Sequence, residues 1–450
     1  MTLTADQILA LAPDASSAKA GSQLALPAKW GKLGRSEAAL WGECQGSGKD
    51  PYRTQIDCSE PAFKCSCPSR KFPCKHGLGL YLLLAAQPAL FAEGVVPPWV
   101  NDWLQGRQQR SEKKLEAAAE KTRDQTPEQA AAAAAQTQKR EEKREAKVAR
   151  GLSELQTWLQ DLAREGLATV RQRGPAPWEA IAARMVDAQA GGLSGRLRRA
   201  GNLCFQTTAV DWERQLGHEL ASIYMLSRAN LQAEHLPAGL RDDVRAMVGW
   251  SVSQDDVLAP PGLRDRWQVL AQRIGDEERV RVRATWLRGV ASARWALVLH
   301  FAVGTQGFEH PLAVGTQFDG ELNFYPGAWP LRALIKRQDS LDAAVATPFP
   351  PLEQSLHDYA DALALNPFLE RYPLALDGVV PDIDGQRAML RCADGTIVPL
   401  HPSFNYPWQL LALSGGYPVA VVGEWDGDSL LPLSVWAEGR LHNLESDVVA

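Results

Sequence analysis

From Lys64 to Leu80 the chain reads KCSCPSRKFPCKHGLGL, with three cysteines and a histidine inside twelve positions. Written out, the pattern is Cys65-x-Cys67-x6-Cys74-x-His76. Thiolates with one neutral imidazole form a soft tetrahedral donor set, which is what zinc selects. Two cysteines two apart on a strand share one face, and a loop-to-helix junction can turn Cys74 and His76 back toward it. Pro68 and Pro73 stiffen the connecting loop. With four protein donors no position is left for water, so the ion expected here is structural. Structural zinc supplies an apparent ~10–16 kcal/mol in small finger peptides, enough to fold a unit of roughly 40 residues that has too little core of its own. The competing reading is redox chemistry at Cys65-x-Cys67, but no thioredoxin-like surroundings accompany it.

Composition places this cluster in a reducing, soluble setting. The seven cysteines are too few and too uneven for a disulfide scaffold, since four fall between Cys58 and Cys74. The opening MTLTADQILALAP has neither a basic segment nor a long apolar core, so it does not read as a signal peptide. The apolar run GLGLYLLLAAQPALF stops at about 15 residues, short of the roughly 20 that span a bilayer. A cytoplasmic protein without a membrane partner is expected. Charge is asymmetric: residues 1–150 carry 22 Lys+Arg against 17 Asp+Glu, or +5, and residues 151–450 carry 26 against 36, or -10.

The length of 450 residues suggests two to four domains, and fifteen tryptophans spread from Trp30 to Trp436 imply several packed cores. Thr4 and Gln7 read as a capping box opening a short helix. Tyr52, Thr54, Ile56 and Cys58 alternate with polar residues as in a strand, and the apolar stretch from Leu78 to Ala86 reads as a helix. From Gly106 to Arg150 only Leu115 and Val148 are large aliphatics, so this Ala-rich stretch, with 12 basic and 8 acidic residues, is expected to be a spacer. Leu152, Leu155, Leu159 and Leu162, then Trp212, Leu216, Leu220 and Ile223, recur at helical spacing. After residue 256 the period becomes two, with a hairpin around Val290–Ala293, Asp394-Gly395 and Asp426-Gly427 turns, and a helix near 351–366. The expected fold class is therefore α+β and multidomain. A small ββα-type zinc module occupies 1–105, a charged linker 106–150, a helical domain 151–255 and a mainly-β region 256–450.

The ligand spacing resembles the SWIM zinc finger, in which CxC, a variable gap and CxH sit in a unit of two strands and a helix. The stretch LWGECQGSGKDPYRTQIDCSEPAFKCSCPSRKFPCKHGLGLYLLL is similar to the finger of bacterial SWIM-family proteins throughout, and RATWLRG, RWALVLHFA and NFYPGAWPLRALIK resemble their β-rich part. The resemblance implies one zinc ion on Cys65, Cys67, Cys74 and His76, in a module proposed to contact DNA or proteins. Some bacterial members are linked to AAA+ ATPase and von Willebrand A-type partners.

Four basic residues around the ligands, Lys64, Arg70, Lys71 and Lys75, face only Glu60 between Cys58 and His76. They are the candidate contacts for a partner or for nucleic-acid phosphates. Phe63 and Phe72 read as core residues of the module, and Cys44 and Cys58 as small buried apolar groups. Catalytic motifs fail on inspection. The GSGK at Gly46–Lys49 lacks both the Walker A glycine and the following Ser/Thr, His218-Glu219 lacks its second histidine at Ser222, and Asp382, Asp384 and Gly385 read as a turn. Arg279, Arg281 and Arg283 alternate with Val280 and Val282, expected as a solvated strand face or a grip on an acidic partner. The expectation is a non-enzymatic interaction module for protein partners, with DNA binding through the finger's basic loop as the alternative.

Overall fold

The computed structural model describes residues 3–13, 15–46, 50–57, 62–69, 71–107, 109, 127–205, 212–277, 280–303, 308, 312–344, 349–385 and 387–444. The chain begins with α1 (Ala5–Ala10), opened by the expected capping box: Thr4 N–H donates to Gln7 Oε1 at 2.9 Å and Gln7 N–H to Thr4 Oγ1 at 3.3 Å. After α2 (Ala15–Leu24) come β1 (Trp30–Arg35), β2 (Ala39–Cys44), β3 (Tyr52–Asp57) and β4 (Ala62–Cys65), an antiparallel meander. Then follow α3 (Lys75–Ala86), β5 (Ala92–Glu93) and a helix α4 over 98–107. The sheet order is β4-β3-β2-β1-β5. Helix α3 is apolar all round and buried from His76 to Leu83, as a helix covered on both sides must be. The sheet covers one side, and α1 and α2 cover the other. Gly79 permits the close α2–α3 crossing, because a Cβ there would lie 2.8 Å from Leu24 Cβ. The module is thus larger than the ββα unit expected.

Helix α5 runs without a break from Pro127 to Glu165, about 58 Å at 1.5 Å per residue. The boundary expected at 150 falls inside it. Val148 is already fully buried with Leu152 and Leu155, so the end of the expected spacer is the beginning of the helical core. That core is completed by α6 (Ala176–Asp187), α7 (Gly191–Phe205), α8 (Trp212–Leu231) and α9 (Ala238–Val248). Inside it Arg196, on α7, makes a bidentate pair with Glu219 on α8 at 2.9 and 3.1 Å.

A short helix α10 (Gln254–Leu258), capped by Ser253, leads into the β-rich region. Strands β6 (Leu263–Glu277), β7 (Val280–Gly289), β8 (Trp295–Val303), β9 (Thr316–Phe324) and β10 (Arg332–Gln338) form a ring in the order β6-β7-β8-β10-β9. The ring closes because β9 pairs with β6 and β10, and β10 also runs parallel to β8. The result is a five-stranded Greek-key barrel with the short β11 (Asp342–Ala343) on its edge. Trp267, Val269, Leu287, Val298 and Phe318 are buried within it. After α11 (Leu352–Leu365), a third sheet is built in the order β14-β13-β12-β15-β16-β17. Its strands are β12 (Tyr372–Asp384), β13 (Arg387–Arg391), β14 (Ile397–Pro399), β15 (Val419–Trp425), β16 (Leu430–Ala437) and β17 (Arg440–Asn443), with α12 (Pro407–Ser414) between β14 and β15. Gly395 and Gly427 occupy the two expected Asp-Gly turns at φ +86° and +104°, values that favour glycine.

These parts are joined by specific contacts. The apolar core of the first module is continuous with that of the barrel and third sheet, whereas the helical domain has a separate core. Gln7 Nε2 donates to Gly315 O at 2.6 Å. The helical domain is tied on by Arg196 to Glu370 at 3.2 Å and by the Ala328 N–H to Asp243 at 2.8 Å. Within the arginine stripe, Arg283 does not lie on the solvated face expected. Arg283 points toward the barrel side of β7, is 7% exposed and packs over Phe308, and burial pushes its guanidinium down to about 9. Arg279 lies outside the described residues.

The polar centre of the β-rich region is Glu424 on β15, only 3% exposed. It accepts Trp286 Nε1–H from β7 at 3.0 Å and pairs with Arg371 and, at 3.3 Å, with Arg273 on β6. Burial alone would raise this carboxylate, but the two guanidiniums and the indole N–H outweigh it and hold it below the usual range. A folded-state value below the unfolded one adds stability that is complete at neutral pH and lost as pH falls through the folded value. Glu424→Gln is expected to destabilise the β-rich region by about 3 kcal/mol and to flatten the acid side of its stability profile. Thermal melts of both proteins between pH 3 and 8 check this; parallel profiles would assign the acid sensitivity elsewhere.

Candidate metal centre

Strand β4 ends at Cys65, and the chain bends immediately, so Cys67 sits just past the strand rather than on it. Cys74 is the N-cap of α3, in extended conformation, and His76 is the second helical residue. Gly77 makes this approach possible: a Cβ there would lie 2.9 Å from Phe63 Cδ1 on β4. Helix start and strand end are thereby brought together. The donor atoms of Cys65, Cys67, Cys74 and His76 all lie within 4.8 Å of one another. His76 presents Nδ1, at 3.7 Å from Cys65 Sγ and 4.0 Å from Cys74 Sγ. A tetrahedral zinc with ordinary bond lengths requires edges of about 3.8 Å between sulfurs and about 3.6 Å between sulfur and nitrogen. The four residues therefore fit one zinc ion.

Surrounding groups fix the donors. Thr54 on β3, directly across from Cys65, places Oγ1 at 3.2 Å from its sulfur. The Tyr52 ring packs on the imidazole with centroids 4.9 Å apart. Backbone N–H groups of Cys67, Ser69 and Gly77 favour the thiolate at Cys65, Cys67 and Cys74 respectively. Without a cation the cluster holds one thiolate readily and resists more. The Cys74 thiol, donating to Cys65, draws that sulfur down to about 4, with further help from His76 and Thr54. Cys74 itself moves far up, through that same hydrogen bond and through burial, and burial also raises Cys67. A dication removes this conflict and releases the remaining thiol protons.

Cys44 is fully buried, and burial pushes its thiol up to about 11, in keeping with a small apolar role. Cys58 and Arg70 lie outside the described residues. Phe63 and Phe72 pack edge to face, with centroids 6.0 Å apart, in the module's core. The remaining basic candidates diverge. Lys64 alternates with Phe63 and Cys65 on β4 and so faces away from the metal cluster. Lys75 is exposed on the first turn of α3, and Lys71, also exposed, places Nζ 3.2 Å from Ser16 Oγ on α2. Sequence reasoning passed over Thr54 and Tyr52 as supports for the ligands. The signal for them was the β3 alternation itself, which puts Tyr52, Thr54 and Ile56 on one face.

Elsewhere two of the rejected motifs are structural, and Ser47, Gly48 and Lys49 of the GSGK stretch lie outside the described residues. Glu219 is the partner of Arg196, and Asp382 pairs with Arg391 beside the β12–β13 turn at Gly385. No helix among the described residues is long and apolar enough to cross a membrane.

A closed Cys3His cluster at a strand–helix junction defines a protein with a structural zinc finger. The particular kind follows from comparison: residues 63–85 match the SWIM zinc finger, and residues 143–248 match the SWIM-associated four-helix bundle domain. No curated protein and no solved structure matches the chain. The chain thus carries a SWIM zinc finger followed by its associated helical bundle domain, which runs from within α5 to the end of α9. Purified protein is expected to contain one zinc ion per chain, and Cys65→Ser with Cys67→Ser to contain none. Elemental analysis checks this, and cobalt substitution should give the intense visible absorption of a tetrahedral three-sulfur, one-nitrogen site.

Proposed function

We propose that this protein is a non-enzymatic adaptor, in which the zinc finger and the β-rich region together present a rigid surface to protein partners. The observation that carries this reading is the continuity of the finger's core with the barrel's, reinforced by the Gln7–Gly315 hydrogen bond. A finger mounted in this way is held in a fixed orientation on a large scaffold, which suits recognition of a shaped protein surface. The divergence of Lys64 from Lys71 and Lys75 supports the same reading, because a phosphate backbone is gripped best by cations on one face. From the resemblance to bacterial SWIM-family proteins, an AAA+ ATPase working with a von Willebrand A-type protein is the partner class we propose.

The second reading is DNA binding at the finger. It draws on the exposed Lys71 and Lys75 beside the amino-terminal end of α3, where backbone N–H groups favour anions. Immobilised full-length protein, titrated with the AAA+ ATPase and von Willebrand A-type proteins of its own host, is expected to bind one of them. The Cys65→Ser, Cys67→Ser protein should bind at least tenfold more weakly. Equal binding by the zinc-free protein, or none by either, overturns the adaptor reading. A steeply salt-dependent gel shift that Lys71→Glu with Lys75→Glu abolishes would establish the second.

A further inference from the structure

A five-stranded Greek-key barrel, where it binds oligomers, offers the outer face of its second and third strands. In this protein that face is divided. On β7 the outward Trp286 is buried against Glu424 of the third sheet. On β8 the alternation puts Ala296 and Val298 inside, so Trp295, Leu297, Leu299, Phe301 and Val303 point outward. The third sheet does not cover this row completely: Phe301 is 52% and Val303 59% exposed, and the other three are half-buried. Strand β8 contains no charged residue from Trp295 to Val303.

Cations stand at its flanks. Arg288 on β7 lies over the Trp295 ring at 5.9 Å. Arg332 on β10 is in register with Leu297 and therefore emerges on the same face. It is exposed, stacks on Tyr325 at 4.4 Å and has no carboxylate within ion-pair distance among the described residues. A guanidinium placed over an aromatic ring still has N–H groups with which to grip phosphate. Charge agrees: residues 263–339 carry 11 Lys+Arg against 8 Asp+Glu, or +3, within a 151–450 segment whose balance is -10.

We propose that the outer face of β8 is a binding platform for single-stranded nucleic acid, with Phe301 and Trp295 stacking bases and Arg332 holding the phosphate backbone. The two rings are six residues apart, about 20 Å along the strand. That length suits the 4 to 16 nucleotides such barrels accommodate. A duplex hides its base faces and cannot use a row of apolar side chains, whereas an unpaired strand can. This site is separate from the finger and does not depend on the adaptor reading.

The test is fluorescence anisotropy of a labelled 12-nucleotide thymidine oligomer with the full-length protein at 50 and 200 mM salt. Binding is expected to weaken about tenfold or more with Phe301→Ala, consistent with base stacking, and to be retained with Phe301→Trp. Arg332→Glu should weaken it and reduce the salt dependence. Lys71→Glu with Lys75→Glu, at the finger, should leave it unchanged. Four results each overturn the proposal: no binding at 50 mM salt, equal affinity for the matching duplex, loss only in the finger variant, or a dimer by light scattering that Phe301→Ala dissociates in the absence of oligonucleotide binding. All the altered side chains on the barrel are exposed, and circular dichroism of each variant verifies its fold.

Discussion

Three sulfurs and an imidazole nitrogen within 4.8 Å are an electrostatic problem that only a cation solves. One thiolate is stabilised by a neighbouring thiol, and further deprotonation is opposed by burial and by the charge already present. A bound dication turns mutual repulsion into four bonds and thereby fixes the end of β4 against the start of α3. Everything around the site serves that junction. Gly77 removes the side chain that would hold helix and strand apart, Thr54 supports Cys65 from the adjacent strand, and Tyr52 braces the imidazole.

The metal does not act alone. A finger of minimal size has almost no core, but this one has α1 and α2 over α3, and its apolar interior runs on into the barrel. Zinc therefore fixes local geometry, while hydrophobic burial shared with the β-rich region holds the sheet. The helical bundle is organised differently: its core is separate, and it meets the β-rich region through Phe368 packed against that core and through polar contacts such as Arg196 with Glu370 and Asp243 with the Ala328 amide. The molecule thus combines one extended apolar unit with one attached bundle.

Much of this was written locally in the sequence. The ligand spacing, the Thr4 capping box, the Leu152–Leu162 periodicity and the two Asp-Gly turns each depend on neighbouring residues, and each appeared where expected. What escaped notice depends on partners distant in the chain. Val148 looks like a stray aliphatic in a charged stretch until the other helices of the bundle supply its surroundings. The alternation of Arg281 and Arg283 with valines signals a strand, but not which side of it faces a barrel, so the burial of Arg283 was illegible. The pairing of β6 with β9 and of β8 with β10, which closes the ring, joins segments dozens of residues apart and leaves no local trace.

The bulge in β6 at Leu270 has a further meaning for how the chain can be divided. Leu270 is the extra residue, fully buried, and its carbonyl receives the Ser434 hydroxyl from β16. One strand is in this way a barrel stave on one side and the floor of another sheet on the other. Severing the chain between β11 and α11 would strip Leu270 and Trp286 of their cover and take Arg273 and the Trp286 indole from Glu424, leaving it Arg371 alone. Each fragment would expose apolar surface that the other now covers, so the barrel and the third sheet form one folding unit.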